Sequence, residues 1–241
     1  MKEIITRTVS DAVGSLDYTL ERKSVKNINL RIKKDGSVAV SANRRTALLQ
    51  IDNFVRSKLA FIRAAQQKLA QRAQRYPGPR RYITGETYRM AGQEYQLLVK
   101  KGKPETVCLQ DRYIVLQLEQ IENAAKRERL FKQWWEQQCK KVFGDIMEQI
   151  QPLFSRWNVE MPLLKLRDMT SRWGSCMPAK RTITLNKRLL SAPLPCIEYV
   201  ILHEFCHFIH PDHSARFWGL VASFMPDWKA RRYWLEQTAE F

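Results

Sequence analysis

Two hydrophobic periodicities divide the first half of the chain into strand-like and helix-like stretches. Between residues 28 and 40 apolar and polar residues alternate, which predicts two strands joined by a tight turn at Asp35-Gly36. In residues 48–76 the apolar positions recur at helical spacing, so this stretch is predicted to be one or two helices. Short alternating runs interrupted by glycine return in residues 80–118 and predict further strands.

The pattern changes near residue 119, and the long amphipathic stretch at 121–157 predicts helical structure. Shorter elements follow it. They are strands at 163–170 and 181–186 and helices at about 195–209, 214–225 and 226–237. We therefore predict an α+β protein with two domains. The first, residues 1–118, is β-rich with a basic helix, and the second is residues 119–241.

Basic residues strongly outnumber acidic ones, 41 against 24, which gives a net charge of +17. Such a surface favours polyanions, although charge also serves solubility. No acidic residue occurs between Asp52 and Glu86, so the helix in this region has either a solvated face or a surface that holds phosphates. Its basic residues are Arg56, Lys58, Arg63, Lys68, Arg72, Arg75, Arg80 and Arg81.

The cysteines and the apolar runs indicate where the protein works. The five cysteines are odd in number, scattered and without a CxxC pair, which predicts no disulfide framework and a reducing compartment. No apolar run is long enough to span a membrane. The first residues show no basic segment followed by an apolar one. We expect a cytoplasmic protein with no membrane partner.

All four histidines, His203, His207, His210 and His213, lie within eleven residues. His203 and His207 frame an H-E-x-x-H motif, and residues four apart share one face of a helix. The flanking residues are apolar, which predicts a buried helix, and buried imidazoles need partners. A zinc ion would supply a partner to both rings, with Glu204 close enough to act on a metal-bound water. This pattern is typical of zinc hydrolases.

A catalytic zinc usually has three protein ligands and one open position. The candidates for the third ligand are His210, Asp212 and His213. Pro211 is predicted to end the helix, so the chain can turn back beyond it. The sequence therefore favours His213 as the third ligand and His210 as a neighbouring or supporting residue. A pair of core histidines without any metal is the structural alternative.

At these motifs the chain resembles the YgjP-like zinc metallopeptidase family, which is related to the SprT/WLM-type minimal zincins. The similarity extends weakly over the N-terminal half. Its specific part consists of SRWGSC (171–176), ITLNKRLLSAP (183–193), IEYVILHEFCH (197–207) and HSARFW (213–218). The resemblance implies His203, His207 and His213 as zinc ligands and Glu204 as general base. It also implies a zincin-like C-terminal domain whose active-site helix lies under a small mixed sheet. Cys206 departs from the family pattern and is predicted to be a buried apolar thiol.

The SRWGSC motif allows a structural and a functional interpretation. As structure it is a tight turn, with Gly174 at positive φ and Trp173 in the core. The resemblance implies a position beside the metal, where Arg172 could hold a carboxylate or phosphate and Ser175 could bind an oxyanion. We therefore predict these four residues to bind substrate. Asn186 is predicted to orient a histidine ligand.

These features favour a zinc-dependent metallohydrolase, most simply a metallopeptidase acting on a peptide or protein with Glu204 as its base. Two alternatives stay open. A nucleoside triphosphate pyrophosphatase on the same site would account for the charge, although no phosphate-binding glycine loop is present. A DNA-associated protease would use the basic helix to reach its substrates on nucleic acid.

Overall fold

The computed structural model describes residues 4–33, 35–75 and 80–238. The chain forms two compact units, Met1–Pro79 and Arg80–Phe241. Each unit encloses its own hydrophobic core. This division differs from the expected boundary at 118/119, because the strands that follow residue 80 share a core with the helices that come after them.

The sheet of the N-terminal unit has four strands: β1 (Ile4–Asp11), β2 (Gly14–Arg22), β3 (Asn29–Ile32) and β4 (Val38–Ala42). Their order is β1-β2-β4-β3, with β2 and β4 parallel and the outer pairs antiparallel. The hairpin predicted between residues 28 and 40 is confirmed as β3 and β4. Gly36 in its turn has a φ of +81°, in the left-handed region that favours glycine.

Two helices, α1 (Leu48–Ser57) and α2 (Leu59–Arg75), pack against this sheet. The same unit buries the carboxylate of Asp52. It accepts two hydrogen bonds from the Arg7 guanidinium, at 3.0 and 2.6 Å, and one from the Tyr18 hydroxyl at 2.6 Å. A buried charge requires such partners, so this cluster belongs to the framework of the unit.

The basic helix predicted from the charge pattern corresponds to α2 and the end of α1. Arg56 is exposed there. Arg63 pairs with Asp11 at 2.7 Å instead of facing solvent alone. The structure does not describe three more basic side chains of this region, those of Lys68, Arg72 and Arg75. A phosphate-holding surface in this region therefore stays a prediction.

The C-terminal unit opens with β5 (Thr87–Met90), β6 (Gln93–Lys101), β7 (Thr106–Gln110) and β8 (Tyr113–Leu118). Their order is β5-β6-β8-β7, with the central pair parallel and the outer pairs antiparallel. The first sheet has the same order and directions, yet the sequence shows no repeat. The long helix α3 (Ala124–Ile150) packs on this second sheet, with the Phe131 and Tyr88 rings 4.4 Å apart.

The remaining elements build the layer that carries the histidines. A 3₁₀ helix at Gln151–Trp157 leads to β9 (Leu163–Arg167), β10 (Gly174–Met177), β11 (Thr182–Asn186), α4 (Leu194–Cys206), α5 (Ala215–Phe224) and α6 (Trp228–Thr238). β11 lies between the other two strands, parallel to β9 and antiparallel to β10. The three predicted helices and the strands at β9 and β11 are confirmed, whereas β10 was not predicted. None of the helices in the described part of the chain is both long and apolar enough to cross a membrane.

Candidate metal centre

The helix α4 carries the H-E-x-x-H motif through the core of the C-terminal unit. Pro195 lies in its first turn, where a missing N–H costs nothing. Apolar residues along this helix, among them Ile197, Ile201 and Phe205, are fully buried. The helix ends at Cys206, and His207 caps it in a helical conformation. The chain then turns, and α5 begins after Ser214.

This turn brings three of the four histidines together. One nitrogen from each of His203, His207 and His213 lies within 4.8 Å of the other two. The Nε2 atoms of His203 and His213 are 3.1 Å apart. Two nitrogens bound to one tetrahedral zinc ion would lie roughly 3.3 Å apart, given zinc–nitrogen distances of about 2.0–2.1 Å. The three-imidazole donor set could therefore hold a metal ion, and the His203–His213 distance matches that expected around zinc.

The protonation of the rings also suits metal binding. Burial, reinforced by the two neighbouring imidazoles, lowers the pKa of His203 to about 3. Burial also lowers the pKa of His207. Both rings are therefore neutral at pH 7, as metal ligation requires. The Nδ1 of His203 is buried without a hydrogen-bond partner among the described residues.

His210 contributes through its main chain. The Nδ1 of His207 lies 3.1 Å from the His210 carbonyl oxygen. A proton on that Nδ1 can be donated to the carbonyl, which leaves the Nε2 lone pair of His207 free for a cation. The imidazole of His210 is not part of the three-nitrogen cluster.

Aromatic side chains from α5 hold the three imidazoles. The fully buried Phe217 ring stacks on His207 at 4.5 Å and contacts His203 at 4.8 Å. The Trp218 ring lies 5.7 Å from the rings of both His203 and His213. Such packing restricts the ring orientations before any ligand arrives.

Glu204 is buried beside this cluster, with 5% of its surface exposed. Burial raises the pKa of its carboxyl to about 8, and the positive charge of Arg172 opposes part of that shift. A Cβ added at Gly174 would lie 2.5 Å from the Glu204 Oε1. Gly174 does not have a positive φ, so the turn interpretation of this glycine is wrong. The glycine is required because the strand approaches the carboxylate closely.

The four predicted substrate-binding residues, Arg172, Trp173, Gly174 and Ser175, line one cleft of about 780 Å³ together with the three histidines and Glu204. The same cleft contains further residues that the sequence interpretation missed. They are Tyr199, Trp218, Arg232 and Glu236. Tyr199 carried a usable signal, because it precedes His203 by four residues on α4. The residues from α6 carried none, because nothing local relates that helix to the motif.

Two other predicted residues lie close to the site. The Asn186 amide donates to the carbonyls of Met169 and Arg172 at 2.8 and 3.1 Å, so both of its N–H groups are engaged with a loop and not with a histidine. Cys206 is fully buried, and burial raises the pKa of its thiol to about 12. It therefore behaves as an apolar side chain.

Comparison with protein families matches residues 26–238 to the YgjP-like metallopeptidase domain. The protein is thus a metallopeptidase by class, in agreement with a histidine triad that could bind a metal. The chain belongs to the YgjP-like family, and this family implies a metal ion and a peptide or protein substrate.

Among solved structures, the chain is similar to the metallopeptidase zymogen of Pyrococcus abyssi abylysin, with 18% identity and a TM-score of 0.35 over 39% of this chain and 90% of that chain. It is also similar to the zymogen of Methanocaldococcus jannaschii jannalysin, with 21% identity and a TM-score of 0.34 over 39% and 88% of the two chains. No curated protein matches the sequence.

Proposed function

We propose that this chain is a zinc-dependent metallopeptidase in which His203, His207 and His213 hold the metal and Glu204 is the general base. The convergence of three imidazole nitrogens within 4.8 Å, beside a buried glutamate, carries the proposal. A zinc ion, when bound, activates water and polarises the scissile carbonyl. The residues of the chain supply the proton transfer and hold the substrate.

Glu204 has the environment that proton transfer requires. Its burial keeps bulk water away, and its raised pKa of about 8 lies near neutral pH. A nearby cation would favour the ionised form, so the carboxylate is available as a base. After taking a proton from water it can deliver that proton to the leaving amine.

The wall opposite α4 offers a place for an extended peptide. β10 is an edge strand of its sheet, and its residues 174–176 line the cleft. An edge strand presents unpaired backbone groups to which a substrate strand can add. In this proposal two residues that line the cleft act on the substrate: Ser175 donates a hydrogen bond to the oxyanion, and Arg172 holds a substrate carboxylate.

Hydrolysis of an unstructured protein by the zinc-loaded enzyme tests this proposal. Glu204→Gln should bind zinc normally and lose activity by about 10²- to 10⁴-fold, the contribution of a general base. Glu198→Gln is the matched control, because Glu198 lies on the same helix but pairs with Arg231 at 2.6 Å. Substantial activity in Glu204→Gln, with zinc bound, would contradict the mechanism.

One observation favours a second candidate, hydrolysis of a nucleotide phosphoanhydride. Two arginines from separate elements, Arg172 and Arg232, line the same cleft as the histidines. Guanidinium groups suit phosphate oxygens as well as carboxylates. Pyrophosphate release from a panel of nucleoside triphosphates, lost in Glu204→Gln, would support this activity. Inactivity across the panel would exclude phosphoanhydride hydrolysis and leave peptide hydrolysis as the proposed activity.

A further inference from the structure

Asn186 ends β11, is fully buried, and is bonded through its main chain and its side chain to one short loop. Its backbone N–H donates to the Trp173 carbonyl at 2.8 Å. Its side-chain amide donates to the carbonyls of Met169, at 2.8 Å, and Arg172, at 3.1 Å. Three carbonyl groups of the segment between β9 and β10 are therefore held by a single residue.

The remaining polar atom of the side chain is also used. The Asn186 Oδ1 accepts from the Arg188 N–H at 3.2 Å, at the start of the 3₁₀ helix Lys187–Ser191. An amide is the small group that supplies two N–H donors and an acceptor together. An ion pair also tethers the beginning of the loop, Lys187 to Asp168 at 2.9 Å, but the Asp168 carboxylate is exposed and such pairs contribute little.

The loop at residues 168–173 carries two groups that matter for Glu204. Arg172 lines the cleft, close enough for its charge to act on that carboxyl. Gly174 follows the loop directly and approaches Glu204 so closely that a Cβ would fall 2.5 Å from Oε1. A displacement of the loop would therefore change the positions of both Arg172 and Gly174 relative to Glu204.

We propose that Asn186 is a positioning residue, which clamps the loop at 168–173 and thereby places Arg172 and Gly174 against the hydrolytic centre. The inference rests on the proposed function in one respect, the role of Glu204 as base. This role for Asn186 differs from the one predicted from the sequence, which was to orient a histidine ligand. The contacts of Asn186 reach Arg172 and Trp173, which line the cleft, and not the histidines.

The first test is a kinetic one, with Asn186→Ala and the matched control Thr182→Val. Thr182 is buried on the same strand and donates one hydrogen bond to the Lys180 carbonyl, away from the loop. Both variants should bind zinc normally. Asn186→Ala should lower kcat/KM by about 10- to 100-fold, as misplaced catalytic groups do, whereas Thr182→Val should not. Equal losses in the two variants would overturn the proposal.

A double variant with Arg172→Ala separates positioning from general support. If Asn186 acts through the loop that carries Arg172, the loss in the double variant will be smaller than the two single losses combined. Independent, additive losses would contradict the clamp. Should Asn186→Ala fail to fold, Asn186→Ser, which retains one hydroxyl donor, is measured in its place with the same expected pattern.

Amide hydrogen exchange gives a test that needs no activity. In Asn186→Ala the amides of residues 169–174 should exchange faster, while those of α4 stay protected. If the wild type hydrolyses no substrate, the proposed function fails, yet exchange still decides this inference. Unchanged exchange in the loop would sink the clamp even where the peptidase activity is confirmed.

Discussion

Within the described residues, each of the two units buries one carboxylate, and the surroundings of the two groups shift their pKa values in opposite directions. Asp52 in the N-terminal unit and Glu204 in the C-terminal unit are 7% and 5% exposed. Asp52 is bonded to Arg7 and Tyr18, and its pKa is lowered, chiefly by the Arg7 hydrogen bonds. Glu204 lies against Gly174 of β10, and burial raises the pKa of its carboxyl to about 8.

The difference shows how an acid can serve structure or chemistry. Burial penalises the charged form of both carboxylates. Only at Asp52 do hydrogen-bond donors stabilise that charged form again. There the Tyr18 hydroxyl stays protonated, because burial raises the pKa of that phenol to about 12. A carboxylate saturated with donors stabilises the fold but has little basicity left. Glu204 retains its affinity for a proton, which a general base needs.

Among the changes that leave both carboxylates in place, the largest effect should come from filling the space beside Glu204. In Gly174→Ala the new Cβ would lie 2.5 Å from Oε1, so the carboxylate or the strand must move. Because such displacements cost about 10²-fold in rate, kcat/KM should fall by about that factor with zinc still bound. Gly144→Ala is the control, since nothing lies within 4 Å of its added Cβ. Wild-type activity in Gly174→Ala would show that the position of Glu204 is not critical.

The sequence predicted what depends on neighbours along the chain. The spacing of His203 and His207 on a helix, and the break at Pro211, are local features, and they pointed toward the cluster that includes His213. Asn186, in contrast, could be recognised in the sequence as a candidate residue, but its contacts could not be predicted. Its partners, Met169 and Arg172, lie 17 and 14 residues away, and only the folded sheet brings them together.

The same distinction explains the other omissions. β10 was missed because a short motif with glycine and serine has the composition of a turn, and its strand character comes from pairing with β11. Arg232 reaches the cleft through the packing of α6, which no local pattern encodes. The two sheets share one strand order, but the sequence could not reveal this because their residues differ.

A smaller effect, on stability, should come from the structural carboxylate. Asp52→Asn keeps the shape but leaves the Arg7 guanidinium without its counter-charge, so the N-terminal unit should lose about 2–3 kcal/mol of unfolding free energy. Denaturant unfolding measures this loss. Asp17→Asn is the control, because Asp17 is exposed and accepts one hydrogen bond from Thr8. Equal stability changes in the two variants would mean that the buried cluster contributes no more than a surface contact.

The last prediction concerns how the stability of the metal-free protein depends on pH when Glu204, in its turn, is replaced by an amide. A folded pKa of about 8, above the ordinary value of about 4.3, means that the folded state keeps a proton that the unfolded state releases between these limits. Wild-type stability therefore falls as the pH rises through that window. Asp52 behaves in reverse, because its lowered pKa gives stability that is lost only as the pH falls through the folded value.

Glu204→Gln removes the group that causes this fall. The stability advantage of the variant over the wild type should therefore be larger at pH 9 than at pH 5, by about 4 kcal/mol, because each pH unit between about 5 and 8 costs the wild type about 1.4 kcal/mol. Denaturant unfolding of chelator-treated protein at the two pH values gives the comparison, with Glu198→Gln as the control on the same helix. A gain of equal size at both pH values would show that packing, and not the buried charge, separates the variant from the wild type. Asp52→Asn should be less stable than the wild type at both values, since the Asp52 carboxylate is ionised throughout this range.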